Sequence, residues 1–332
     1  MKELPAIIRE LEQNAEMPHA LATLVSVEGS SYRRVGARLL VNGSGVSIGS
    51  ISGGCLEEDV RERAGAVLAS GEPDTVVYDT TEENDLVWGV GLGCKGVVRV
   101  FIEQLAARPE WARTLQRNFG LRKETRLSVV WEGAERALLG THETERLAGR
   151  VPTEAKVLEE CVAPPVRLLI FGAGDDAQPL AKMAKEMGWR VEVFDARAAF
   201  VTAERFPAAD EVKVARPEEA ANVVVDAWTV AVVMTHRYRD DVALLRALLP
   251  RALPYLGLLG PKTRTERILG ELAEAGFEVT QEMRGRLHAP VGLDLGGDTP
   301  EAVALSALAE MQSVLAGRDA RPLRERSRPI HA

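Results

Sequence analysis

Apolar and polar positions change their rhythm twice along this chain. The opening "MKELPAIIRELEQ" carries apolar residues at helical spacing. It is followed by "HALATLVSVEG", "ARLLVNG" and "GVSIGSIS", whose short apolar runs bounded by Gly and Asn predict three strands. Leu56, Val60, Ala64, Val67 and Leu68 return to helical spacing, with Glu57, Glu58 and Asp59 in the first turn, where the helix dipole favours carboxylates. "DTVVYDT" and "KGVVRVFIEQL" predict further strands, Trp111 to Phe119 a helix, and "RLSVVWEG" and "ERALLGT" two more strands. Residues 1–140 therefore predict a mixed α+β domain. From Thr141 to Pro165 periodicity fades and the stretch ends in "APP", which predicts a linker over 141–165. Cys161 falls in it without an assigned role.

Residues 166–332 predict a different architecture. "VRLLIFGAGDDAQPLAKMAKEMGWRVEVFD" is a continuous apolar strand, a glycine turn, an amphipathic helix and a second apolar strand ending at Asp195. "TVAVVMTH" and "PYLGLLG" follow as strands, each trailed by a helical pattern, at Asp241 to Leu249 and Arg264 to Leu272. Such alternation requires a parallel sheet wound by right-handed crossovers. The fold class is thus α/β, with a C-terminal Rossmann-type parallel-sheet domain behind an N-terminal mixed α+β domain.

Composition narrows the partners more than the fold. A formal charge of -8 argues against nucleic acid and anionic membrane surfaces, which need a basic face. The N-terminus has no apolar h-region and no run of about 18 apolar residues occurs, so a cytoplasmic location is expected. Cys55, Cys94 and Cys161 are too few and too scattered for a disulfide framework or a four-ligand zinc site. Chemistry, if thiol-based, uses these residues singly or as a pair.

Three loops of the first domain are candidates for it. "IGSISGGC" brings Ser52, Gly53 and Gly54 up to Cys55 at the mouth of a helix, a setting that favours a thiolate although Glu57 to Asp59 oppose it. "VWGVGLGCKG" surrounds Cys94 with glycines, Gly93 among them. "EGSSYRRVGAR" clusters Ser30, Ser31, Arg33, Arg34 and Arg38, residue types that hold anions bidentately and that elsewhere make an ordinary solvated face. Together the loops fit a phosphorylated ligand carrying a soft atom, with Cys55 the candidate metal-binding thiol.

The second domain offers a G-x-G-x-x-A turn. Gly172 makes the tight bend, Gly174 admits a pyrophosphate, Ala177 lets helix and strand pack, and Asp195, roughly 20 residues on, is placed for a ribose hydroxyl. Asp175 and Asp176 put negative charge where the diphosphate would sit, so NAD(P) binding is expected to be weak or absent. His236 ends a buried strand at the ligand edge of the sheet, or simply caps the turn. His288 and Asp294, in "HAPVGLDLGG" before a helix opened by Thr299 and Pro300, are expected to shape the cleft.

These segments, with "YDTTEENDLVWGVGLGCKG", "MTHRYRDDVALLRALL" and "YLGLLGPKTR", resemble the xanthine dehydrogenase accessory factor family of the XdhC/CoxI type, in order from Leu21 to Met311. The family usually has proline where this chain has Tyr32 and Val35, and a small or amide residue at Lys95. The resemblance implies an N-terminal cofactor-handling domain and a C-terminal Rossmann domain in a homodimer. It also implies a chaperone more than a turnover enzyme: a factor that binds molybdenum cofactor, holds it while a cysteine desulfurase supplies the sulfido ligand, and delivers it to a molybdenum hydroxylase apoenzyme. Arg33, Arg34 and Arg38 would then meet the pterin phosphate, and Cys55 or Cys94 the molybdenum. The alternative is an NAD(P)-dependent oxidoreductase built on Gly172, Gly174 and Asp195, with His236 as acid or base.

Overall fold

The computed structural model describes residues 3–79 and 96–327. The chain divides into two compact units between Pro164 and Pro165.

In the first unit α1 (Glu3–Gln13) precedes β1 (His19–Gly29), β2 (Arg38–Asn42), β3 (Ser47–Gly49), α2 (Glu57–Ser70), β4 (Asp74–Asp79) and β5 (Gly96–Leu105). The strands form an antiparallel sheet in the order β3-β2-β1-β5-β4. Strand β1 is buried over seven successive residues because both faces of the sheet are covered. Ala20, Ala22 and Leu24 pack with Val60, Ala64 and Val67 of α2 on one face. Leu21 turns to the other, against Ile7, Ile8 and Leu11 of α1 and Trp111 and Leu115 of α3 (Glu110–Gly120).

A small antiparallel sheet completes this unit, with β6 (Thr125–Glu132) between β7 (Gly140–Glu143) and β8 (Lys156–Val162). Two sequence expectations fail here. The stretch 141–165 is not a linker: it holds most of β7 and all of β8, with Val162 fully buried beside Leu127 in the α1/α3 core. Both strands are edges without burial alternation: β7 has two buried residues followed by two half-buried ones, and β8 is exposed or half-buried up to Val162, so they leave no hydrophobic period to read. "ERALLGT" is likewise no strand over its length. Arg136–Leu138 form a 3-10 turn and pairing begins only at Gly140.

In the second unit β9 (Arg167–Phe171), α4 (Ala177–Glu186), β10 (Arg190–Asp195), β11 (Glu211–Val214), α5 (Pro217–Ala220), β12 (Thr229–Val233), α6 (Tyr238–Leu248), β13 (Tyr255–Leu258), α7 (Lys262–Glu274), α8 (Gln281–Arg286), β14 (Leu287–His288) and α9 (Pro300–Leu315) follow in turn. Every strand pairing is parallel and the order is β11-β10-β9-β12-β13-β14. Numbered within the unit this is 3-2-1-4-5-6, the dinucleotide-fold order, whose crevice opens where β9 meets β12. Leu168 and Ile170 face a core with α4 and α9, while Leu169 and Phe171 face one with α6 and α7. No helix among the described residues is long and apolar enough to cross a membrane.

Candidate functional site

At one edge of the first sheet, β1 ends at Gly29 opposite Gly96, the first residue of β5, and β4 ends at Asp79 opposite Val97. The loop from β3 into α2 meets the loop after β1: the ring of Tyr32 lies against Gly53, where a Cβ would sit 2.8 Å from it. The loop carrying Ser30, Ser31, Arg33 and Arg34 thus touches the loop of Ser52, Gly53, Gly54 and Cys55 at Tyr32 and Gly53, while Arg33 turns to Glu3 of α1. Cys55 is exposed. Cys94 and Gly93, with Gly89, Gly91 and Lys95, lie outside the described residues.

Glu57 determines the shape of the Cys55 loop. Its Oε1 accepts from Ser50 Oγ at 2.8 Å, Ser52 N at 2.9 Å, Ile51 N at 3.1 Å and Gly53 N at 3.2 Å. Its Oε2 accepts from Gly54 N at 2.8 Å, Leu56 N at 3.2 Å and Ser52 Oγ. Burial disfavours the charge, but the donors from Ser52, Ser50 and Gly53 outweigh it and hold this carboxyl far below the usual carboxylate range. The amides expected to favour a Cys55 thiolate are therefore turned onto Glu57. Gly53 and Gly54, at φ of 98° and 122°, supply the positive angles the wrapped loop needs.

The arginines do not form one open cradle. Arg38, on β2, is only 1% exposed and its guanidinium is ion-paired with Glu160 of β8, with a second bond of 3.0 Å to Gly36 O. It ties two sheets together and is withdrawn from solvent. Arg33 is part-exposed and paired with Glu3 of α1 at 2.5 Å, and Arg34 is exposed. Among the described residues no group of three or more His, Cys, Asp or Glu side chains is placed to hold a metal ion.

In the second unit the glycine turn sits at the crevice. A Cβ on Gly172, at φ of 118°, would overlap the Met234 carbonyl, whereas at Gly174 the nearest group is the His236 ring 3.6 Å away. Ala177 is buried at the start of α4 as expected from packing. Of the two acids of the turn, Asp175 is paired with Arg205 at 2.9 Å, and Asp176 lies 3.1 Å from His236 Nε2. This reduces the opposition to a diphosphate argued from the sequence. His236 itself is held at φ of 58°, a left-handed angle uncommon outside glycine. Beside it, Thr235 bonds buried Asp241 at 2.5 Å, which also takes two bonds from Arg264 at 2.6 and 3.0 Å.

Asp195 is buried and engaged. It receives Ala173 N at 2.8 Å together with Arg197 N, Nε and Nη2 at 2.9, 2.9 and 2.7 Å. Burial works against its charge, and the Arg197 guanidinium and these amides keep its carboxyl below the ordinary range. His288 is not at this turn. It stacks on Tyr255 with centroids 4.2 Å apart and lies 3.2 Å from Glu310 of α9, pinning β14 to that helix. Asp294 is exposed in the loop before α9, with no hydrogen bond or ion pair among the described residues. The sequence reading missed Glu57 as the lock of its loop and missed Arg197 and Arg205 altogether. The spacing "DAR" at a strand end was the available signal for Arg197, while Arg205 comes from an irregular segment.

The chain thus combines a cysteine-bearing α+β unit with a doubly wound dinucleotide-type unit. It belongs to the XdhC and CoxI family: the model of that name matches residues 13–79, and the XdhC Rossmann domain matches residues 168–311. It is 34% identical over 312 residues to a probable xanthine dehydrogenase subunit of Bacillus subtilis, covering 88% of this chain and 91% of that protein. It is 26% identical over 301 residues to the molybdenum cofactor insertion chaperone PaoD of Escherichia coli, covering 89% and 82% of the two chains. A crystal structure of a xanthine dehydrogenase from Bacillus halodurans superposes with a TM-score of 0.80 at 28% identity, over 98% of this chain and 99% of that one.

Proposed function

We propose that this protein is a maturation factor that binds molybdenum cofactor and delivers it to a molybdenum hydroxylase apoenzyme after a cysteine desulfurase has provided the sulfido ligand. The observation that carries this reading is the exposed Cys55, displayed on a loop locked by Glu57 and met by the Ser30 to Arg34 loop through Tyr32 and Gly53. A soft thiol on one loop, with Arg33 and Arg34 on the loop that touches it, suits a cargo with a molybdenum centre at one end and a phosphate at the other. Kinship to a molybdenum cofactor insertion chaperone supports the same role. Cys94, outside the described residues, is proposed from its glycine-rich sequence alone as a second thiol.

The test is co-expression of Cys55→Ala with a molybdenum hydroxylase, together with pterin analysis of the purified factor. The variant should fold with an unchanged melting temperature, since an exposed side chain fills no core, and should leave the hydroxylase inactive. A Cys55→Ala protein that supports full hydroxylase activity removes the residue from the mechanism. The absence of any pterin from wild-type protein, purified from a host that makes the cofactor, removes the cargo.

A further inference from the structure

We infer that the C-terminal end of β10 reads a phosphate on a ribose: the second unit takes 2′-phosphorylated nucleotides of the NADP(H) type and discriminates against a free ribose diol. The inference stands apart from cofactor delivery by the first unit.

The argument begins with the saturation of Asp195. An ionised carboxylate offers about four lone-pair sites. Oδ1 takes Arg197 N and Nε, and Oδ2 takes Ala173 N and Arg197 Nη2. The acid at this position of a dinucleotide fold ordinarily accepts from ribose hydroxyls. Here those sites are full, and a diol would have to displace a bidentate arginine.

Arg197 is the group left with capacity. Its guanidinium has five N–H donors, of which Asp195 uses two. The others make no hydrogen bond among the described residues, Asp240 of α6 being the other acid that acts on the guanidinium, and the side chain is 34% exposed. The guanidinium is fixed from below, lying 4.0 Å over the Phe200 ring. Arg205 lies over the same ring at 5.0 Å and reaches the glycine turn through Ala173 O at 3.3 Å and Asp175. Two planar cations are therefore held on one aromatic ring beside the turn. A fork braced by a carboxylate and a ring, with its free edge outward, is the arrangement that binds phosphate bidentately at little ordering cost. Gly174, open apart from His236, leaves the backbone of the turn approachable by the rest of such a ligand.

The experiment is calorimetric titration of the full-length protein with 2′,5′-ADP, 5′-AMP, NADP+ and NAD+, with inorganic phosphate as competitor. At least ten-fold preference for 2′,5′-ADP over AMP, and for NADP+ over NAD+, is expected. Arg197→Gln should abolish the preference, and Arg197→Lys, which keeps the charge and loses the fork, should weaken it several-fold. Should Arg197→Gln fail to fold, the wild-type ratio and the Lys variant decide. Equal affinities, no heat from any nucleotide at millimolar concentration, or a preference untouched by Arg197→Lys would overturn the inference. Displacement of 2′,5′-ADP by an equal concentration of inorganic phosphate would overturn the nucleotide assignment, showing a phosphate site alone.

Discussion

Replacing Glu57 by Gln removes one charge and reverses one half of a hydrogen-bonding group. The amide carbonyl can keep the donors now held by Oε1, but its NH2 would face Gly54 N and Leu56 N, donors themselves, while Ser52 Oγ can turn to accept. Hydrogen bonds to charged groups contribute about 1.5–3 kcal/mol each and are not additive, so a loss of about 2–4 kcal/mol is expected for this part-exposed site. For a unit of the size of the first one that is a fall of roughly 4–16 °C in its melting temperature. The pH dependence identifies the cause. The folded carboxyl lies far below its unfolded value of 4.5, so its contribution is complete above that value and is lost as pH falls toward the folded pKa. The gap between wild type and Glu57→Gln should be constant from pH 7 to about 5 and close progressively in stronger acid. Alkylation of Cys55, followed by peptide mass spectrometry to exclude Cys94 and Cys161, should be faster in the variant because the vacated amides become available to the thiolate. A variant that melts within a degree of wild type, with a gap independent of pH, would refute the view that Glu57 locks the loop.

Arg38→Met should cost about 3–5 kcal/mol by leaving Glu160 without its partner, and Arg38→Met/Glu160→Leu should recover part of it, as read by chemical denaturation. Loss of pterin binding by Arg38→Met without loss of stability would return Arg38 to the ligand site. Gly172→Ala combines φ of 118° with overlap on the Met234 carbonyl, so the second unit should lose about 2–4 kcal/mol, measured the same way.

Where one physical cause governed a segment, the sequence was sufficient. Strand β1 was legible to the residue from its apolar run, and the parallel pairing of the second sheet followed from strand and helix alternation with a glycine turn between β9 and α4. Failures occurred where long-range pairing overrode local pattern. The supposed linker carries β8 because Glu160 meets Arg38, 122 residues away, and Val162 joins Leu127 in a core, contacts that no local window reveals. Glu57 was legible as a charge near Cys55 but not as the acceptor of the whole loop, since its bonds depend on the path that Gly53 and Gly54 allow.

Both glycine loops share a consequence of that kind. In the first loop the amides from Ile51 to Gly54 are filled by Glu57, and in the second the Ala173 amide is filled by Asp195. An incoming phosphate therefore gains little from those amides, because it would have to expel a charge already well bonded. It gains more from the arginines nearby. The Arg33 to Glu3 pair is part-exposed, and such pairs contribute about 0–1 kcal/mol, so exchanging Glu3 for a phosphate is inexpensive. The buried Arg38 to Glu160 pair is held far more strongly, since opening it would strand a charge in the interior. In the cargo-binding reading, the phosphate contact accordingly belongs to Arg33 and its exposed neighbour Arg34. Arg33→Gln should weaken pterin retention several-fold at unchanged stability, which a retention assay on the purified protein reads directly. Unchanged retention would remove the arginine loop from the site while leaving Cys55 to be judged separately.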